Sequence, residues 1–181
     1  MRADPIGIMG GINLFAYALN NPCIYLDASG FYTIVVCTDV KVVEIFDNDG
    51  NLVYREEAVI GCPGRNTPEG EFVAGNWIKD KTNPKYGPRP WSKDKTNPYG
   101  PWFLPIYTKN GTYTSIGIHG TAGPGWSPFV KPPFAEWWSD PDDYLYCSHG
   151  CVRQSNPDII KMHDILPKPK GTPILIRRCK K

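Results

Sequence analysis

The chain has 181 residues, with 20 Lys+Arg against 18 Asp+Glu and a formal net charge of +2, both signs interspersed. That balance leaves no basic footprint for nucleic acid or for an anionic membrane surface, and no apolar run is long enough to cross a bilayer. At 41% hydrophobic residues the chain supports a buried core, while 19 prolines and 18 glycines favour strands and long loops over long helices.

The first seven residues, Met1 to Gly7, lack the basic region and apolar run of a signal peptide, so the expectation is that this chain does not export itself by that route. Residues 4–30 form a string of turn signals: Asp4-Pro5-Ile6-Gly7, Gly10-Gly11-Ile12-Asn13, Tyr17, Asn20-Asn21-Pro22 and Asp27-Ala28-Ser29-Gly30. On residues alone this is an irregular N-terminal arm. The pattern also closely resembles the end of the Rhs repeat-associated core, with Phe15 in place of the first aromatic and Ala28 in place of the last proline. In that family the segment joins a β-cage to a variable C-terminal toxin. The resemblance therefore implies a junction arm over 1–30 and an effector domain over 31–181.

Strand signals begin after Phe31. Tyr32 to Asp39 and Val40 to Phe46 are rich in β-branched and aromatic residues, Asp47-Asn48-Asp49-Gly50 predicts a tight turn, and Asn51 to Gly61 the returning strand. Glu71 to Ile78, Trp102 to Tyr107, Tyr113 to His119 and Pro173 to Arg178 add four more candidates. One helix is predicted after position 155, with Asn156 as cap, Pro157 at its first position, Ile159, Ile160, Met162, His163 and Leu166 at helical spacing, and Pro167 as terminator. His163 reads as a surface or half-buried residue, not a ligand.

A tandem repeat interrupts the strands. Lys79-Asp80-Lys81-Thr82-Asn83-Pro84-Lys85-Tyr86-Gly87-Pro88 recurs as Lys93-Asp94-Lys95-Thr96-Asn97-Pro98-Tyr99-Gly100-Pro101. Two copies are too few for a solenoid and predict paired loops beside Trp77, Trp91 and Trp102, which rim a groove or simply scaffold it. Cysteines stand at 23, 37, 62, 147, 151 and 179. Their irregular spacing in a chain this long does not dictate a disulfide framework, and some read as small core residues.

The most informative stretch is Ser148-His149-Gly150-Cys151-Val152-Arg153, with Ile118-His119-Gly120 upstream. A thiol near imidazoles points to nucleophilic catalysis through a thioester. A metal site using Cys147, His149, Cys151 and His119 or His163 is the rival, although C-x-H-x-C lacks the usual spacing of zinc ligands. A non-catalytic binding module with a structural cysteine is the other.

Taken with Thr67-Pro68-Glu69-Gly70, Asn97-Pro98-Tyr99-Gly100-Pro101 and the tail Gly171-Thr172-Pro173-Ile174-Leu175-Ile176, these motifs resemble, in order, the catalytic domain of the L,D-transpeptidase (YkuD-like) family over about residues 31–178. The resemblance implies a mainly β, sandwich-like fold with one prominent helix after the cysteine. It implies Cys151 as nucleophile and His119 as base, with His149 shaping the site. Backbone N–H groups around Gly150 and Cys151 would bind the oxyanion, with Ser148 and Gly120 shaping the site and Ser148 bracing the turn. Arg153, Trp126 and Tyr99 are the candidate substrate contacts, with Arg153 equally suited to a structural ion pair. The substrate implied is the peptidoglycan tetrapeptide stem, with no cofactor and no metal. Acyl transfer to an amine, to a D-amino acid or to water would give transpeptidase, exchange or L,D-carboxypeptidase activity.

The interval from His119 to Cys151 is long for the family, so Thr121 to Cys147 holds an insertion rich in aromatics. It reads as a lid or as packing on the sandwich face. Together the two resemblances predict a secreted antibacterial effector, delivered by a type VI-like system into a rival's periplasm. Its expected partners are a cognate immunity protein and the Rhs cage of a parent toxin. Housekeeping wall maturation is the alternative.

Overall fold

A computed structural model describes residues 32–122 and 147–179. In chain order the elements are β1 (Tyr32–Cys37), β2 (Val42–Asp47), β3 (Leu52–Glu57), β4 (Gly70–Ala74), β5 (Ile78–Lys79), β6 (Trp102–Thr108), β7 (Tyr113–His119), β8 (Val152–Arg153), α1 (Asn156–Ile165) and β9 (Pro173–Arg177). The mainly β expectation with one prominent helix holds for the described residues. The two N-terminal runs meet at a turn over 38–41, where Lys41 has φ 54°, so each strand is shorter than its apolar run.

The strands form one sheet ordered β3-β2-β1-β9-β4-β6-β7-β8, with β5 pairing β6 from outside that path. Most neighbours are antiparallel; β1 with β9 and β7 with β8 are parallel. The Asp47–Asn51 turn is held by the Asp47 carboxylate, which accepts from the N–H groups of Asp49 and Asn51 at 3.0 and 2.8 Å. Pro105 lies inside β6, where it can donate no ladder bond; the pairing with β7 shifts register between Pro105 and Tyr107.

The sheet curls until its ends meet. The chain leaving β3 pairs with β8 through reciprocal bonds between Val59 and Arg153, each 2.8 Å. Inside the curl, Ile34 and Val36 of β1, Val43 and Ile45 of β2, Leu104 and Ile106 of β6, Ile118, Val152, Ile174 and Ile176 pack against Ile159, Met162 and Leu166 of the helix segment. The alternate residues of β1, Val35 and Cys37, face a smaller cluster with Val42 on the other side.

The helix starts one residue earlier than its sequence suggests. Ser155 is the N-cap, its hydroxyl accepting from Asp158 N–H at 3.2 Å, and Pro157 falls at the second helical position. Asn156 is no cap because its side chain is engaged elsewhere. At the other end, the Trp77 indole donates to the Leu166 carbonyl at 2.7 Å, and half-buried His163 stacks on Trp102 with centroids 3.9 Å apart.

Four of the cysteines pair. Cys37 joins Cys179 and Cys62 joins Cys147, leaving Cys151 as the free cysteine among the described residues; Cys23 lies outside them. Cys37 and Cys62, readable from sequence as small core residues, are buried but cross-linked. The Cys37–Cys179 bridge closes a separation of 142 residues and ties the end of β1 to the chain beyond β9. Replacing both residues by Ala should lower unfolding stability by about 2–4 kcal/mol, read as a lower denaturant midpoint, because the unfolded chain regains loop entropy.

Candidate active site

The site grows from the seam where the curled sheet closes. As the chain leaves β3 it runs beside the segment that enters β8. Ser148 N–H donates to the Ile60 carbonyl at 2.6 Å, Cys62 N–H donates to the Ser148 carbonyl at 2.9 Å, and the Cys62–Cys147 bridge fastens the same two strands of chain. Thr67 adds a side-chain link. Its hydroxyl accepts from Gly61 N–H and donates to the Gly150 carbonyl, both at 2.9 Å, and Thr67 itself is buried. Sequence placed Thr67 in a motif without a role; a buried threonine bridging two backbones is visible only once the chain is folded.

Within the turn, Ser148 links two backbone groups. Its hydroxyl donates to the Cys151 carbonyl and accepts from Gly150 N–H at 3.1 Å. Gly150 has φ +106°, a conformation that favours glycine over any residue with a Cβ. The Gly150 N–H is thus turned to Ser148, not to an incoming oxygen, which differs from the expectation that it serves an oxyanion. The two motif histidines separate. His149 is exposed and its Nε2 meets the Arg65 guanidinium, whereas His119 is 4% exposed at the end of β7. Arg153 is buried, and its guanidinium donates to the Cys147 carbonyl at 2.7 Å. Trp126 and nearly all of the 121–147 insertion lie outside the described residues, as does the 1–30 arm.

His119 is framed by rings. Phe103 stacks on it at 5.6 Å and 15°, and Tyr99 meets it edge-on at 5.5 Å and 73°. Its Nδ1 lies 2.7 Å from the Gly120 carbonyl oxygen. A carbonyl only accepts, so Nδ1 carries the proton and Nε2 is left as the basic nitrogen. Gly120 is buried where a Cβ would fall 2.3 Å from Asn156 Oδ1. That amide oxygen accepts from Thr121 N–H at 2.8 Å, which is why Asn156 does not cap α1.

Both titratable partners rest neutral. Burial pushes the His119 pKa down from 6.5 to about 3; the Gly120 carbonyl opposes this and the Arg153 and Lys81 charges add to it. Burial pushes the Cys151 thiol up from its usual 9.0, against the Gly117 N–H and the charges of Lys81 and Arg153, which favour thiolate. A protonated thiol and a neutral imidazole generate thiolate only when a base takes the proton. Cys147, one member of the metal reading, is bonded to Cys62, and no group of three potential metal ligands forms among the described residues.

The sequence model of the L,D-transpeptidase catalytic domain (YkuD) family matches residues 31–176. No curated protein matches. Among solved structures, the chain is similar to a cysteine-to-serine mutant of the Enterococcus faecium L,D-transpeptidase (22% identity, TM-score 0.53, 81% of this chain and 49% of that one). Bdellovibrio bacteriovorus Bd1075 gives 23%, 0.53, 86% and 51%. The helical cell shape determining protein Pgp2 of Campylobacter jejuni gives 15%, 0.53, 83% and 49%. The chain spans about half the length of these proteins, and at such identities the likeness establishes the fold.

The neutral resting pair sets a pH signature. Alkylation of Cys151 by iodoacetamide should climb steadily through pH 9 with no plateau near neutrality; a plateau between pH 5 and 8 would mean a resting thiolate–imidazolium pair instead.

Proposed function

Because the chain belongs to the L,D-transpeptidase catalytic domain (YkuD) family, we propose that it acts on peptidoglycan stem peptides by acyl transfer through Cys151. The observation that carries this is a free thiol, Cys151, immediately before β8, whose residues Val152 and Arg153 pair with Ile118 and His119 of β7, the buried His119 having its Nε2 left as acceptor. His119 takes the thiol proton as sulfur attacks the carbonyl before the terminal D-residue. The resulting imidazolium, poorly tolerated in this apolar frame, returns that proton to the leaving amine. A thioester remains, and the acceptor that resolves it sets the product.

The other site residues take supporting roles in this reading. Ser148 and Thr67 hold the turn, and Gly150 provides its conformation. With Gly150 N–H engaged, the Cys151 N–H is the turn's donor to the oxyanion. Arg153 braces the Cys147 carbonyl from a buried position, which favours the structural role over contact with substrate. Tyr99 forms part of the wall beside His119, and His149, at the surface with Arg65, contacts the outer part of the peptide. Incubating the protein with purified tetrapeptide muropeptides, with and without a D-amino acid, should release D-alanine, exchange it or form dimers by mass spectrometry. Cys151→Ala should reduce turnover by at least about 10³-fold, as expected on loss of a nucleophile; processing at the wild-type rate would rule the mechanism out.

We further propose that the domain is the effector end of a toxin acting in a rival's periplasm, with a cognate immunity protein. The Rhs-like pattern of residues 4–30 supports this. Two disulfides, one of them beside the thiol, support action in an oxidising compartment. Expression with an added export signal should arrest growth of a Gram-negative host, while cytoplasmic expression and exported Cys151→Ala should not; equal toxicity in both compartments would point to another target.

A further inference from the structure

The tandem repeat is unaccounted for by this chemistry, and it places a cation at the site. Lys81, from the first copy, is half-buried. Its Nζ lies 3.4 Å from the centroid of Phe103, 5.1 Å from Tyr99 and 5.7 Å from Tyr113, and it donates to the Tyr113 hydroxyl at 3.3 Å. Phe103 and Tyr99 are the same rings that frame His119. Lys109 and Lys161 meet carboxylates, Glu71 and Glu56, whereas Lys81 meets only rings and a hydroxyl among the described residues. Ring faces compensate an ammonium for part of its lost hydration without neutralising it.

The second copy holds this arrangement in place. Asn97 is 2% exposed; its amide donates to the carbonyls of Lys81 and Arg89 at 2.9 and 2.6 Å, and its Oδ1 accepts from Tyr99 N–H at 2.9 Å. One buried asparagine thus fixes the backbone of the lysine and presents a tyrosine ring to its head. Asn83, the matching residue of the first copy, makes the same local turn to Lys85 N–H at 2.8 Å but is less buried. Lys95, which matches Lys81, lies exposed over Trp91 at 3.3 Å. The duplication has diverged into one copy that carries the cation and one that braces it.

We propose that Lys81 is a specificity-determining residue whose ammonium receives the carboxylate that the donor peptide carries next to the bond broken at Cys151. This rests on the acyl-transfer reading above. In a C-terminal donor the terminal α-carboxylate lies one residue beyond the attacked carbonyl, roughly 3.5 Å of chain, and Lys81 is near enough to the thiol to act on it electrostatically. A carboxylate bound there gains the counter-charge that the ring-lined wall lacks and sets the scissile bond over the sulfur. A donor with an amidated terminus has no such anchor.

The test pairs a charged with a neutral alkylating agent on the full chain, following Cys151 by peptide mass spectrometry. Iodoacetate carries the carboxylate and iodoacetamide does not. Lys81→Met should lower the iodoacetate-to-iodoacetamide rate ratio by about tenfold, the scale of one nearby charge, and Lys81→Arg should keep it. Lys95→Met, in the other copy, should leave it at the wild-type value. With tetrapeptide donors, Lys81→Met should raise KM for the free acid and leave the C-terminal amide unchanged. An equal fall for both reagents would overturn the assignment, because Lys81 would then tune only the thiol; an unchanged ratio would overturn it outright. Carboxylate selectivity at Cys151 without turnover of any stem peptide would sink the acyl-transfer reading while supporting the anion site.

Discussion

Everything at the site depends on the closure of the curled sheet, where the chain leaving β3 is held against the chain entering β8. The two segments are separated by some 90 positions in sequence and joined by three kinds of bond: the Val59–Arg153 backbone pair, the Cys62–Cys147 disulfide and the Thr67 hydroxyl bridging Gly61 and Gly150. The hydrogen bonds alone contribute little against the entropy of ordering a loop, and the disulfide adds to them by constraining the unfolded chain. Together they give Ser148–Arg153 one conformation before any substrate arrives. The turn needs such support because it contains a positive-φ glycine and only two residues of regular strand follow it.

The same closure sets the electrostatics. Burying His119 at the end of β7 against Phe103 and Tyr99 removes the water that would stabilise an imidazolium, and the Gly120 carbonyl only partly compensates. Arg153 and Lys81 then work in two directions at once, opposing the protonation of His119 and favouring thiolate at Cys151. A carboxylate orienting the histidine would have done the reverse and charged the imidazole at rest. With a backbone carbonyl in that place, the tautomer is fixed without raising the charge. The site therefore holds a thiol that is protonated at rest and a neutral imidazole whose Nε2 is left as acceptor.

Much of this was legible in the sequence, and what was not has physical reasons. Strands β1, β2, β6, β7 and β9 follow from β-branched and aromatic runs, because period and composition are local properties. Strand β8 is two residues long and exists only through its partners on both sides. The pairings Cys37–Cys179 and Cys62–Cys147 bring together residues far apart in sequence, which no spacing rule reaches. Asn156 resembled a helix cap because asparagine beside Pro157 is a good local start signal; a tertiary bond to Thr121 took its side chain and Ser155 served instead. Thr67 and Asn97 were hidden for the same reason, since a buried polar side chain bridging backbones looks, in sequence, like any loop residue.

The long interval between His119 and Cys151 gains a definite constraint from its ends. Its first residue, Thr121, is buried and bonded through its N–H to Asn156, and its last, Cys147, is bonded to Cys62 and accepts from Arg153. These bonds tie both ends of the interval to the sheet and the helix. In sequence the interval begins two residues after His119 and ends next to Ser148. The Thr121 end is held through the first residue of α1 and the Cys147 end through the chain leaving β3, so the two ends of the interval rest on different parts of the scaffold that also carries His119 and the Ser148 turn.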